Sequence, residues 1–206
     1  MLVHEFIALF IVLVPISLGI FTFNRQNREM RLLLLILIIM AFVEGYTKYL
    51  FSMNRYYYWV HHIYMPIEYS ILAYIFSHWQ HRRIFATIFK ISIPVFIAFC
   101  IWNMLRIDII HETIGITASV AFVLYVGMSS FALIHIQTEN PNSILRDCRF
   151  WVSAALLIYS AGGIANFAFR DIILKEWLIA IPAIHKIFNI IMHLLYAMGF
   201  KCQSRS

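Results

Sequence analysis

Residues Trp59–Trp79 read WVHHIYMPIEYSILAYIFSHW, and the interpretation of the whole chain turns on this stretch. At about 1.5 Å of helical rise per residue it can cross a hydrocarbon core of about 30 Å. A Trp stands at each end, where interfacial aromatics belong. Yet His61, His62, Pro66 and Glu68 lie along it. Ionisable side chains in hydrocarbon are costly and by default mark an internal polar site. The question is then which other segments turn polar groups toward this one.

The composition is that of a membrane protein. Of 206 residues, 62% are hydrophobic and 13% charged, and the mean hydropathy is +0.80. Soluble domains carry about 25% charged residues. A net charge of +6 would suggest nucleic acid for a soluble chain; here the partner implied is the bilayer, and the charge bears on orientation. Cys100, Cys148 and Cys202 show no CxxC spacing, which argues against a disulfide framework or a cysteine metal site. The first residues, MLVHEF, lack a basic leader region and read as the start of a retained first helix.

Seven apolar runs follow: His4–Phe23, Leu32–Phe51, Tyr57–Ser77, Ile84–Leu105, Thr113–Ile136, Phe150–Phe169 and Leu178–Phe200. Each is about 20 residues long, the length of a transmembrane helix. None alternates in polarity as a barrel strand would. The expected fold is all-α: a polytopic integral membrane protein, one seven-helix bundle domain over residues 1–206.

Ten Lys and Arg residues, including Arg25, Arg28, Arg31, Arg82, Arg83, Arg146 and Arg149, fall on one set of alternate connections and the tail; five fall on the other. That asymmetry places the N-terminus outside and the C-terminus inside. Trp59, Trp102 and Trp177 then mark outer helix ends, and Trp79 and Trp151 inner ones. A plasma or inner membrane is the expected location.

Depths counted from the helix ends put Glu68 and Asn189 near mid-membrane, with Glu44 and Lys186 about 3–5 Å outward. His185 comes out further still, and Lys48, Asn166, His61 and His62 roughly 9–12 Å from the centre. His61 and Glu68 share a helix face, as do Tyr159, Asn166 and Arg170, and also Lys186, Asn189, His193 and Tyr196. Glu44 and Lys48 are spaced for an intrahelical ion pair. Helices two, three, six and seven thus carry polar stripes, and one, four and five read as support. The candidate ligand-binding set is Glu44, Lys48, His61, His62, Glu68, Asn166, His185, Lys186 and Asn189, in a pocket open to the outside. The small residues Ser160, Ala161, Gly162, Gly163 and Ala165 read as helix packing.

Ile38–Phe51 aligns with Leu156–Phe169 at an offset of 118, matching Gly45 to Gly163 and Phe51 to Phe169. With seven helices the first three and last three run in the same directions. In helix count and orientation this is similar to the parallel repeats of SWEET-type transporters. The Pro-Gln dipeptide of PQ-loop relatives is absent.

Three functions fit the pattern. Transport of a small polar solute or cation, with a proton coupled through Glu68 and Glu44, ranks first because it needs no further domain. A sensor would need a separate signalling partner, since the tail is only KCQSRS and the longest inner loop runs Gln137–Arg149. A metal-dependent hydrolase is third. His185 and His193 lie about 12 Å apart along a helix, too far to share a zinc ion whose ligands sit at about 2 Å, and there is no HExxH. No resident cofactor is implied. If zinc is bound, its ligands would be His62, Glu68 and His185. No catalytic residue is assigned, and self-association into a homo-oligomer is compatible with the sequence.

Overall fold

A computed structural model describes residues 10–80, 82–106, 115–139, 143–173 and 180–204. Among them the chain forms seven α-helices: α1 Leu13–Phe21, α2 Arg28–Ser52, α3 Tyr58–Trp79, α4 Arg83–Arg106, α5 Gly115–Glu139, α6 Cys148–Ile173 and α7 Ala180–Gln203. Short 3-10 turns at Phe23–Arg25 and Ile144–Arg146 precede α2 and α6. The expected start of the first helix at His4 lies outside the described residues, as do Trp177, Lys175 and Arg205.

Several helices run past their apolar sequences, because an apolar run measures hydrocarbon thickness whereas a helix continues until its backbone is capped. α2 begins four residues before Leu32: the Asn27 side chain accepts a hydrogen bond from the Met30 N–H at 3.0 Å, the usual Asn N-cap. It ends in a Schellman motif. The N–H of Arg55 reaches the Leu50 carbonyl at 2.9 Å and that of Asn54 the Phe51 carbonyl at 3.0 Å. Asn54 holds the required left-handed conformation, φ 53°, which Asn tolerates better than most residues.

Among the described residues, four helices (α2, α4, α5 and α6) are long and apolar enough to cross a membrane, so the chain is compatible with a multi-pass membrane protein. α3 falls below that apolarity because it carries three histidines, four tyrosines and Glu68 along its length. On α4, Ile84, Ile88, Ile91 and Val95 form an exposed stripe, each more than half accessible, as a lipid-facing helix surface would.

The helices pack in a ring in the order α1, α2, α3, α5, α6, α7 and back to α1, with α4 outside it against α3. Consecutive helices alternate in direction. A single end of the bundle gathers Asn27, Trp79, Arg146, Cys148 and Gln203 around a cavity of about 430 Å³. These come from the starts of α2 and α6, the ends of α3 and α7, and the α5–α6 connection. Trp79, read from the sequence as an interfacial marker, is buried against Phe76 at this end, 5.2 Å between ring centres.

That end is cross-linked by polar contacts. Arg149 donates to Asp147 from Nε at 3.0 and 3.1 Å and from Nη2 at 2.7 Å, and Nη2 also reaches Glu139 at 2.9 Å. The Cys148 thiol donates to the Gln203 side chain at 2.8 Å, and that of Cys202 to the Arg146 carbonyl at 2.7 Å. Arg149 keeps about a fifth of its side chain accessible, so screening limits its contribution. Arg149→Ala is expected to cost about 1–2 kcal/mol. Detergent melts of the single and double variants with Asp147→Ala will measure the coupling, which should account for most of that loss.

The small residues of α6 are contact points. A Cβ added at Gly162 would overlap the Phe188 ring of α7, and one at Gly163 the Phe122 ring of α5. Ser160 is fully buried. Packing explains Ser160, Gly162 and Gly163, whereas Ala161 is exposed. Gly45, the counterpart of Gly163 in the internal alignment, has nothing within 4 Å of an added Cβ, so the two glycines have different surroundings.

Candidate functional site

The inner faces of five helices and the α2–α3 loop line a half-open cavity of about 320 Å³. Helical periodicity explains each contribution. α3 supplies His61, Tyr64, Met65 and Glu68, spaced i, i+3, i+4, i+7. α5 supplies Ala118, Ala121, Phe122 and Tyr125 in the same spacing. α2 adds Met40, Val43 and Glu44; α6 adds Tyr159 and Asn166, seven apart; α7 adds Asn189; and Tyr57 and Tyr58 close the loop end. Pro66 sits within α3 and cannot donate to the carbonyl four residues earlier, that of His62.

Five of the candidate residues therefore face one space: Glu44, His61, Glu68, Asn166 and Asn189, from α2, α3, α6 and α7. Asn166 Oδ1 is buried with no hydrogen-bond partner among the described residues. Buried polar atoms are usually satisfied, and this one, without accessible surface, is an exception beside the cavity.

The other candidates lie elsewhere. Lys48 is exposed, and among the described residues no ion pair joins it to Glu44. His62, about 100° around the helix from His61, does not line the cavity, and its Nε2 is buried without a partner among the described residues. Lys186 is half-buried and also off the cavity wall. The side chains of His185 and Arg170 lie outside the described residues. Among the described residues no three His, Cys, Asp or Glu side chains cluster closely enough to hold a metal ion. The trio His62, Glu68 and His185 includes a side chain outside that set.

α5 was expected only to support the bundle. It stands in the ring, and its Tyr125 and Phe122 form part of the wall. The Phe122 and Tyr159 rings meet edge to face at 5.5 Å. Tyrosine is what the sequence reading undervalued. A phenol passes unnoticed in an apolar run, because most of its surface is hydrophobic and only its tip is polar. The available signal was the spacing of Tyr58, His61, Tyr64 and Glu68 on one face of α3.

His193 is fully buried on α7, both ring nitrogens without a partner among the described residues, and Ser153 and Ser160 of α6 have unpartnered hydroxyls. They lie outside the cavity wall. In comparisons with protein-family models, curated proteins and solved structures, nothing matches the chain.

Proposed function

We propose that this chain is a small seven-span transporter of a plasma or inner membrane, N-terminus outside, that binds a small polar solute or cation in the cavity around Glu68. The observation supporting this reading is that Glu44, His61, Glu68, Asn166 and Asn189, from four separate helices, line one cavity. Ionisable residues placed this way in a membrane bundle generally mark a pathway for substrate or ions. Pro66 weakens the hydrogen bonding of α3 next to the site, which lets that helix rock around a bound solute. Glu68 is the proton carrier in this scheme, protonated while the site is empty and ionised while it faces a bound cation.

The test is uptake by reconstituted liposomes, using a panel of small cations and neutral polar solutes with and without a pH gradient. Glu68→Gln is expected to lower flux by about tenfold or more and to remove its dependence on the gradient. Full, pH-independent flux in that variant would eliminate the role of Glu68. Binding without flux of any solute would favour a sensor over a transporter.

A further inference from the structure

We infer that the cavity selects a small organic ammonium ion, a conclusion that rests on the reading of this cavity as the solute site. The charge on its wall has one sign. Glu44 and Glu68 both line it, and among the described lining residues there is no Lys or Arg. An anion would meet two carboxyl groups; Lys48 interacts electrostatically with Glu44 but stands off the wall.

The rest of the wall favours an organic cation over a bare metal ion. Tyr57, Tyr58, Tyr64, Tyr125 and Tyr159, with Phe122, bring six aromatic rings to one space. Aromatic faces carry negative quadrupole charge and attract cations, most effectively where water is excluded; cages of this kind hold quaternary ammonium groups. Met40 and Met65 add soft, polarizable surface that packs well against alkyl groups. A metal ion needs several hard or nitrogen donors at about 2–2.6 Å, a cluster not found among the described residues. The volume, about 320 Å³, is at the small end of ligand pockets, which run from about 300 to 1,000 Å³. An ammonium ion with a few carbons suits it.

The experiment is titration of the purified full chain in detergent with tetramethylammonium, choline and butylammonium. Each is matched with its neutral isostere, in which carbon replaces the charged nitrogen. Binding is read by calorimetry and by the rise in melting temperature. At least one ammonium ion is expected to bind about tenfold or more tightly than its isostere, and Glu68→Gln to weaken it by about tenfold. Tyr64→Leu should weaken it by about three- to tenfold, and by more than Tyr64→Phe, which keeps the ring. Melts of each variant without ligand identify any that have failed to fold, and Glu68→Gln and Tyr64→Phe are near-isosteric.

Equal binding of charged and neutral members, or no binding by any of the three ammonium ions, would overturn the inference. Liposome uptake separates it from the transport reading. Flux of neutral polar solutes without selective ammonium binding would sink the ligand class and leave transport standing. Selective ammonium binding without flux would do the reverse.

Discussion

Tyr69→Ala is expected to destabilise the bundle by roughly 2–4 kcal/mol, the largest effect of any single truncation considered. Tyr69 is fully buried on α3. Its ring lies 4.2 Å from that of Phe96 on α4 and 5.7 Å from that of Tyr125 on α5, centre to centre. Its hydroxyl donates to Ser92 Oγ at 2.7 Å, and Ser92 donates to the Phe89 carbonyl at 2.7 Å. It is therefore a joint between the outlying helix α4 and the ring.

Packing and hydrogen bonding make separable contributions at this joint. A helix detached within a bilayer still lies in an apolar medium, so the transfer term that dominates soluble cores is small here. What remains is the void. At about 24 cal/mol per Å³, a void of ring size, on the order of 100 Å³, costs roughly 2–3 kcal/mol. Hydrogen bonds between membrane helices average about 0.6 kcal/mol and reach about 1.7. Tyr69→Phe should therefore cost less than about 1 kcal/mol, with Tyr69→Ala several times worse. Equilibrium unfolding in mixed micelles measures both. Equal losses would show that the hydroxyl, and not the ring, holds α4 in place. Tyr69→Ala should also weaken ligand binding, because the ring of Tyr125 loses the neighbour that supports it from outside the cavity.

The second large effect is expected at Gly163. A Cβ there would lie 2.7 and 2.8 Å from Phe122 Cδ2 and Cζ, and closer still to Cε2. The Phe122 ring is hemmed in by Tyr159 on α6 and forms cavity wall, so it can yield only toward the cavity or by separating α5 from α6. Overpacking of this kind costs about 1–3 kcal/mol for one added methyl group. Gly163→Ala should fall in that range, and Gly163→Leu should exceed it. Either variant should reduce binding in the cavity. Gly127→Ala and Gly45→Ala are the controls. Neither added Cβ meets anything within 4 Å, and replacing a mid-helix Gly by Ala stabilises by about 0.5–1 kcal/mol. Opposite signs at Gly163 and Gly127 would establish that close approach at Gly163 sets the requirement for glycine. A neutral Gly163→Ala would remove it.

The sequence alone determined where the helices lie and which residues share a face. An apolar run of about 20 residues must satisfy its own backbone in lipid, and a period of 3.6 residues sets His61 and Glu68 on one stripe whatever surrounds them. Those are local consequences of the chain. Hence, among the described residues, each of the seven helices falls on one of the seven apolar runs, and α2 differs from its run at a capped end, where Asn27 starts it. It was the tertiary structure that decided which stripes face each other. Glu44, His61, Glu68, Asn166 and Asn189 share a cavity, Lys48 points out of the bundle, and α5 takes the place in the ring that α4 leaves. Neighbours are chosen by interlocking shapes on segments far apart in sequence, such as Gly163 against Phe122 and Tyr69 against Phe96. Hydropathy does not record shape: α4 and α5 are both apolar enough to span a membrane, and only packing puts Tyr125 of α5 on the cavity wall and turns Ile84, Ile88 and Ile91 of α4 outward.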